Sequence, residues 1–545
     1  MTVVKRVFKV KGKPFFPIGG QSSSASAYSD NESEQAFKAV ELLHGNCLLT
    51  DAYWEKIEPE EGKFDFTAID DLIASARRHE IKLILLWFAT WKNAAMDYAP
   101  AWVKNNPQRF KRVISTTGSD IWSLSPHCKA NQEADAKAFT ALCKHLKAVD
   151  SEEQTVIGLQ VENEPGILGS DRDYGTAAQA DFDRPVPAKL IALVKAAGKG
   201  ELFEAWQKAG AKKSGGTWPE LFGSYAGEYM TAWSIANYID SVAAAGKAVY
   251  NIPMYMNAWM MMHPQWALPG TAYPSGGAVA KLLDLYKAYT PHLDLIAPDI
   301  KSLDSPGYEE QCAQYTRDDN PLFMPETPAT VSLFRAIADY NLLGFHRMGG
   351  LESVVAADGS VSPGSKVGVD TIRCAAAAVP LIIKYQGTGK IFAIGQEENV
   401  QQQFLNSLDG WLGRVQFGSS GPPSHFGKDW RHSVIDGYSQ VAASLAKDGS
   451  DGNRGRGMVI QVSTHEFYFV GVNYRVFLRP KPLSDEMRFQ LMRNNSEPGR
   501  YVSVEEGHFD KNGKFIVDRT RNGDVIGSGL WVEPDLPVLR VITCY

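Results

Sequence analysis

Along roughly the first 385 residues, apolar and polar positions follow a pattern that predicts repeated units of one strand and one helix. Short, nearly continuous apolar runs predict strands that are covered on both faces. Stretches with the apolar spacing of an amphipathic helix lie between them. The predicted strands are 14–20, 46–51, 82–88, 156–161, 252–259, 293–300, 321–328 and 342–345. Eight such units predict an α/β fold, a (β/α)8 TIM barrel.

From about residue 400 the pattern changes to short β-rich runs that are separated by Gly, Asn, Asp and Pro. Such runs are typical of an antiparallel β-sandwich or barrel. They are 459–462, 466–472, 475–478, 501–507, 513–518, 529–532 and 538–542. We therefore predict two domains, a (β/α)8 barrel over residues 1–395 and a sandwich-like C-terminal β-rich domain over residues 396–545.

The fourth predicted strand ends in a cluster of polar residues that is a candidate for chemistry. Residues 160–166 read QVENEPG, so two acids and an Asn precede a Pro-Gly break. TIM barrels carry their catalytic residues at the carboxyl ends of strands. A carboxyl group beside a nearly apolar wall has a raised pKa and can act as a general acid at neutral pH. Glu164 is our candidate and Glu162 its rival, and a structural ion pair is the alternative for both.

The same string resembles the fourth-strand motif of glycoside hydrolase family 35. In that family the Glu after the Asn is the acid/base and the Asn binds the sugar, so the resemblance implies these roles for Glu164 and Asn163. It extends over the barrel, from Phe15 to about Tyr385, and further segments carry it: 54–66, 91–93, 98–104 and 273–277. Two departures are Pro165, where many members have an aromatic residue, and residues 91–93, where larger β-galactosidases place a Glu.

Glu326 lies near the end of the seventh predicted strand and is the second candidate acid. Taken alone, it is equally well interpreted as a cap of the next helix. Paired with Glu164, it gives two carboxylates at the ends of strands four and seven, the arrangement of the clan to which family 35 belongs. A retaining glycosidase holds these groups about 5 to 5.5 Å apart. We expect Glu326 to be the ionised nucleophile and Glu164 the protonated acid/base.

Further polar and aromatic residues near predicted strand ends are candidate sugar contacts. A Trp beside a Lys and an Asn offers a flat stacking face and hydrogen-bond donors, although Trp91 is equally well interpreted as core filler. For His346, a solvated or capping role is the alternative. The candidate substrate-binding residues are Asn163, Trp91, Lys92, Asn93, Asn257, Trp259, Asp299, Tyr273 and His346.

The alternation of side chains along a strand conflicts with part of this assignment. Residues 160, 162 and 164 share one face of a regular strand, whereas Asn163 points to the other. If Glu164 and Asn163 both reach the sugar, the regular strand must end near Val161, for example in a β-bulge.

Composition limits the classes of partner. The net charge of −6 is spread along the chain without basic runs, which argues against nucleic acid or an anionic membrane as a partner and favours a neutral substrate. Six cysteines without C-x-x-C spacing are interpreted as reduced packing residues. No segment has the apolar length of a signal peptide core or a membrane span. We expect a cytoplasmic protein, or a secreted or periplasmic one that has lost its leader.

Together these features predict a retaining exo-β-glycosidase, with terminal non-reducing β-linked galactose as the first expectation. A β-glucosidase and a transglycosylase acting on oligosaccharides with the same two Glu are the alternatives, and a non-catalytic sugar-binding barrel is a third. No metal cluster, nucleotide loop or Ser-His-Asp spacing stands out, so we expect no metal and no cofactor. The linkage, the oligomeric state, including a homo-oligomer, and the role of the C-terminal domain are open.

Overall fold

The computed structural model describes residues 7–24, 26–28, 30–261, 268–397, 400–417, 454–481, 500–521, 523–526, 529–533 and 538–544. Its central element is one sheet of eight parallel strands. The strands are β1 Ile18–Gln21, β2 Cys47–Tyr53, β3 Lys82–Lys92, β4 Val156–Asn163, β5 Met254–Trp259, β6 Leu295–Asp299, β7 Met324–Thr327 and β8 Phe345–Arg347. The predicted (β/α)8 barrel is therefore confirmed.

The strand order is β6-β5-β4-β3-β2-β1-β8-β7, so chain neighbours are also neighbours in the sheet. The side chain of Asn320 joins β6 to the chain that leads into β7. Its Oδ1 accepts from the backbone N of Ile296 at 2.7 Å, and its Nδ2 donates to the backbone O of Ile296 at 2.9 Å. A side-chain amide offers the same donor and acceptor as a peptide group. Asn320 therefore continues the hydrogen-bond ladder between β6 and the segment that leads into β7.

Two apolar layers account for the nearly continuous apolar runs of the barrel strands. Along β3, Leu83 and Leu85 belong to the core between the strands and the helices, whereas Ile84 and Leu86 belong to a smaller core inside the ring. The amino-terminal end of that inner core is covered by a hairpin of Phe8–Val10 and Lys13–Phe15. Residues 14 and 15, predicted as the start of the first barrel strand, thus belong to this hairpin.

Helices cover the outside of the ring. The longer ones are Asp30–Leu42, Thr67–Arg78, Lys129–Asp150, Thr176–Asp183, Ala188–Ala197, Glu201–Lys208, Ala226–Val249, Leu283–Tyr289, Ser305–Tyr315, Ser332–Asp339, Lys366–Ala377 and Val379–Tyr385. Short helices lie at Trp54–Ile57, Ala101–Lys104 and Trp218–Phe222, and a further one, Gly523–Ile526, belongs to the C-terminal domain. Helices Lys366–Ala377 and Val379–Tyr385 follow each other directly in the chain. They are separate because Pro380 has no backbone N–H to donate to the preceding turn.

The C-terminal strands form two antiparallel sheets. One has the order Ile391–Gly395, Arg456–Ser463, Glu466–Val472, Val538–Thr543, Tyr501–Phe509 and Phe515–Thr520. The other has the order Gln402–Leu405, Trp411–Phe417, Tyr474–Pro480 and Leu530–Val532. The predicted antiparallel β domain is confirmed, whereas the division at residue 395 stays a prediction. Strand Ile391–Gly395 pairs within the first of these sheets.

The six-stranded sheet packs on the barrel through one face and on the four-stranded sheet through the other. Met458 and Ile460 join the core of the barrel, while Val459 between them joins the core of the sandwich. The buried Arg456 links the two parts, since its Nε donates to Thr371 Oγ1 at 2.7 Å.

All six cysteines are free thiols, and four of them are buried, which agrees with the predicted packing role. None of the helices in the described ranges has the length and apolar content needed to cross a bilayer.

Candidate active site

A cavity of about 300 Å³ opens at the carboxyl ends of the barrel strands. Side chains and backbone from the ends of β1, β3, β4, β6, β7 and β8 contribute to its wall, as expected for a TIM barrel. The lining residues are Gln21, Ser22, Ser23, Ser24, Lys92, Asn93, Glu164, Lys301, Glu326, Gly349 and Gly350. Both predicted catalytic acids are among them, although they are 162 positions apart in the chain (326 minus 164).

Glu164 is fixed by contacts of its backbone and of its carboxylate. Its backbone N donates to Asn257 Oδ1 at 2.7 Å, and its Oε1 accepts from Lys301 Nζ at 3.1 Å. Its φ of +47° lies in the left-handed region, which is uncommon for a residue with a Cβ. Such strain persists where surrounding contacts hold it, and here it directs the carboxylate into the cavity.

Glu326 faces Glu164 across the cavity. Its Oε2 lies 3.2 Å from Lys301 Nζ, so one ammonium contacts both acids. Carboxylate oxygens of Glu164, Glu326 and Asp299 all lie within 4.8 Å of one another. Three such groups could share a metal ion, but the Lys301 ammonium contacts two of them and already supplies positive charge.

Asp299 and Asn257 lie behind Glu164 and do not line the cavity. Asn257 Nδ2 donates to Asp299 Oδ2 at 2.7 Å, and the same amide holds the backbone of Glu164. Burial, and then the nearby carboxylates of Glu326 and Glu164, raise the pKa of Asp299 well above its usual value. Asn257 and Asp299 thus support Glu164, whereas we predicted them as sugar contacts.

The second group of polar residues lies at the end of β3. Lys92 Nζ donates to Asn93 Oδ1 at 2.7 Å and to Asn163 Oδ1 at 3.2 Å. The Nδ2 of Asn163 is buried and has no partner within the described ranges, so it remains able to donate to a ligand. Lys92 and Asn93 line the cavity. Their assignment as substrate contacts stays a prediction, as does that of Asn163.

Glu162 points away from the cavity. Its φ of +64° breaks the regular alternation of β4, which is the kind of break that a joint role of Glu164 and Asn163 requires. Its Oε2 accepts from the backbone N of Trp91 at 2.7 Å. Burial and the neighbouring carboxyl of Asp135 raise the pKa of Glu162 well above its usual value. Glu162 belongs to the layer between strands and helices, so it is not a rival acid in this cavity.

Three predicted sugar contacts do not line the cavity, because their side chains are buried elsewhere. Trp91 is fully buried and packs edge to face on Tyr238, since β3 continues to Lys92 with a register irregularity after Trp87. Tyr273 is buried and donates to Glu228 Oε1 at 2.6 Å.

The third of these residues, His346, is buried inside the barrel against Phe323. Burial lowers the pKa of His346 to about 3, so the ring is neutral. Trp259, in contrast, is only half-buried, and its ring centroid lies 5.9 Å from Lys301 Nζ. Trp259 is therefore the aromatic residue of the predicted set that remains available for stacking.

Several residues of the site were missed by the sequence reasoning. Lys301 lies two positions beyond the last residue of β6, and only the strand end was considered. The Ser22–Ser24 segment follows β1, and Gly349 and Gly350 follow β8, in loops without an acid or aromatic signal. Asp51, at the inner face of β2, is buried as well, and burial raises its pKa to about 8. The position of Asp51 in the carboxyl half of a barrel strand could have identified it as a residue near the site.

Two carboxylates that meet over one small cavity at the carboxyl face of a β/α barrel are typical of the enzymes that cleave glycosidic bonds. Residues 26–207 match the family described as beta-galactosidase, glycoside hydrolase family 42. This match supports the prediction of a glycoside hydrolase. The assignment to family 35 is wrong, because the matching family is family 42. Residues 373–533 match a domain of unknown function, DUF5597.

Solved structures with a similar fold include Gan42B, a family 42 β-galactosidase from G. stearothermophilus of which a catalytic mutant has also been solved. Gan42B is 15% identical, the match covers 68% of this chain and 57% of that one, and the TM-score is 0.47. A β-galactosidase from Bacillus circulans sp. alkalophilus is 14% identical over the same shares, with a TM-score of 0.45.

The catalytic domain of a β-amylase from Paenibacillus polymyxa is 14% identical, with 64% of this chain and 95% of that one covered and a TM-score of 0.44. This chain spans less than two thirds of the length of the β-galactosidases. No curated protein sequence matches it. Similarity at this level transfers neither a substrate nor a mechanism.

Proposed function

We propose that this protein is a retaining exo-β-glycosidase that removes terminal β-linked galactose from small glycosides or oligosaccharides. The observation that carries the proposal is the approach of the Glu164 and Glu326 carboxylates to within 4.8 Å in one cavity. Retaining glycosidases hold the two groups about 5 to 5.5 Å apart, whereas inverting enzymes need about 6.5 to 9.5 Å to admit a water. The short separation supports a covalent route.

In this route Glu326 attacks the anomeric carbon while Glu164 gives a proton to the glycosidic oxygen, so the leaving group departs as a neutral alcohol. The bond between Glu326 and the sugar is then broken by water, and Glu164 takes a proton from that water. Two inversions at the same carbon return the β configuration. Asn257, which is itself held by Asp299, fixes the backbone of Glu164 for both steps.

The size and lining of the cavity support an exo mode of action on a neutral sugar. A volume of about 300 Å³ is at the lower limit of ligand sites and suits one sugar ring at a chain end. Ser22, Ser23 and Asn93 offer hydroxyl and amide groups to sugar hydroxyls. The choice of galactose rests on the match to the β-galactosidase family, and glucose remains the alternative sugar.

The test compares substitutions of three acids on aryl β-galactosides and β-glucosides with good and poor leaving groups. Glu326→Ala should abolish hydrolysis of all of them. Glu164→Gln should lose about 10²- to 10⁴-fold on poor leaving groups and much less on dinitrophenyl glycosides, because an activated phenolate needs no proton. Glu162→Gln is the matched control on the same strand and should keep the leaving-group dependence of the wild type.

Activity of Glu326→Ala equal to that of the wild type would refute the proposal, and so would a Glu162→Gln variant that behaves like Glu164→Gln. The anomer released first, observed by NMR, separates retention from inversion. Product analysis with added acceptor sugar separates hydrolysis from transglycosylation.

Several finer predictions accompany this proposal. We propose a cytoplasmic location, an enzyme that needs no cofactor, and no nucleic acid or membrane partner. Light scattering of the purified protein tests whether it is a homo-oligomer.

A further inference from the structure

Lys301 has an unusual position for a lysine in a site with two reactive acids. Its Nζ lies 3.1 Å from Glu164 Oε1 and 3.2 Å from Glu326 Oε2. The lysine side chain is 40% exposed, whereas the side chains of Glu164 and Glu326 are 2% and 11% exposed. The ammonium therefore reaches two buried carboxylates from the open side of the cavity, on a stem that is flexible and partly in solvent.

The point that the ammonium occupies is also the point that the reaction needs. A nucleophile attacks from about 3 to 3.5 Å, and a general acid lies about 2.6 to 3.2 Å from the atom it protonates. The anomeric carbon must come this close to Glu326 and the glycosidic oxygen this close to Glu164, and Lys301 Nζ now lies at such distances from both acids. A glycoside that makes both approaches therefore competes with the ammonium for the space between the two carboxylates.

Resting on the function proposed above, we infer that Lys301 is a displaceable counter-ion that occupies the reaction centre of the free enzyme and leaves when the sugar enters. Its departure removes the positive partner of both carboxylates. Two carboxylates within 4.8 Å of each other are not both ionised without such a partner, so Glu164 takes up a proton. Sugar binding itself then converts Glu164 into the acid form that the first step consumes. Lys301 is a positioning residue that acts through the two acids.

The charges around this point agree with the inference. Burial alone would lower the pKa of Lys301, but Glu326, Glu164 and Asp299 together raise it above its usual value, so the free enzyme holds a charged lysine. Burial and the carboxylates of Glu326 and Glu164 raise the pKa of Asp299. Among the groups near these acids, burial also raises the pKa of Asp51, to about 8, and the pKa values of the Tyr255 and Tyr315 phenols.

Lys92, the second lysine of the cavity, makes a useful comparison. Its Nζ contacts Asn93 and Asn163, and the described contacts of its amine include neither Glu164 nor Glu326. Its removal changes the charge of the cavity by the same amount as removal of Lys301 without uncovering the two acids.

Proton uptake on ligand binding tests the inference without requiring turnover. Binding of phenyl 1-thio-β-galactoside, a ligand that resists hydrolysis, would be measured by titration calorimetry near pH 7 in buffers of different ionisation enthalpy. The wild type should take up close to one proton per ligand bound. Lys301→Met, in which Glu164 is already protonated, should take up close to none, whereas Lys92→Met should bind more weakly but take up as many protons as the wild type.

Absence of proton uptake by the wild type would overturn the inference, and so would uptake by Lys301→Met equal to that of the wild type. If Lys301→Met does not fold, as judged by circular dichroism, Lys301→Gln replaces it with the same expectation. Absence of binding and of glycoside hydrolysis in the wild type would overturn the proposed function and this inference with it. Hydrolysis that depends on Glu326 without proton uptake would overturn the inference alone.

Discussion

The carboxyl group of Asp51 is buried inside the barrel with few partners, and its replacement by Asn should stabilise the protein at alkaline pH. Asp51 is 1% exposed, and its Oδ2 accepts a hydrogen bond from the Tyr53 hydroxyl at 2.9 Å. Its Oδ1 has no partner within the described ranges. Burial, which outweighs the hydrogen bond from Tyr53, raises the pKa of Asp51 from 3.8 to about 8.

The size and sign of the effect follow from this shift. The folded protein binds the proton more tightly than the unfolded chain, so the stabilisation is fully present below pH 3.8 and is lost as pH rises through about 8. A shift of about four pH units at about 1.4 kcal/mol per unit corresponds to a loss on the order of 5 kcal/mol. Asn has nearly the same shape as Asp and carries no charge. Asp51→Asn should therefore lose no stability at this position as the pH rises.

The assay is thermal unfolding by calorimetry at pH 5 and pH 8 for the wild type and Asp51→Asn. The unfolding temperature of Asp51→Asn should exceed that of the wild type by more at pH 8 than at pH 5. Asp71→Asn, which changes an exposed aspartate of helix Thr67–Arg78, is the matched control and should follow the wild type at both values. An advantage of Asp51→Asn that is equal at both pH values, or absent at pH 8, would refute the reasoning.

Three further substitutions test the placement of two tryptophans and of Asn320. Trp91→Ala should lower the free energy of unfolding by about 3 to 5 kcal/mol, because it leaves a cavity in the core. Trp259→Ala should instead raise KM with little loss of stability. The reverse pattern would indicate that Trp91, and not Trp259, stacks on the sugar. Asn320→Ala leaves the backbone N and O of Ile296 without their partner. It should lower the free energy of unfolding by about 1 to 3 kcal/mol for each of the two groups, measured by denaturant unfolding. An unchanged unfolding midpoint would contradict the role of Asn320 in joining β6 to the chain before β7.

The eight strands and both acids could be predicted from the sequence because each signal is local. The barrel strands are apolar runs since the two cores cover both faces, and Glu164 and Glu326 each end such a run. Their meeting followed from the rule that strand ends share one face of a barrel. The C-terminal sheets were recognisable for the same reason, from short runs between turn residues.

The orientation of side chains at the strand ends could not be predicted in this way. Glu162, Glu164 and Asn93 adopt positive φ, which no glycine in the sequence marks, and these turns decide which residues face the cavity. Trp91 follows the irregular end of β3 into the core for that reason. Lys301 reaches the cavity from a position beyond the end of β6, where the periodic pattern of apolar residues has already ended. The family was misassigned because the short motif around Glu164 was taken as specific to family 35.

The first and last barrel strands pair with each other, with Ile18 beside Phe345 and Gly20 beside Arg347. During synthesis β1 therefore remains without this partner until β8 emerges about 320 residues later. At about 5 to 20 residues per second, this interval lasts roughly 15 to 65 s. Over that time the unpaired edge of β1 is able to pair with strands of other chains. We expect the ribosome-bound chain to depend on chaperone protection until its eighth strand has emerged.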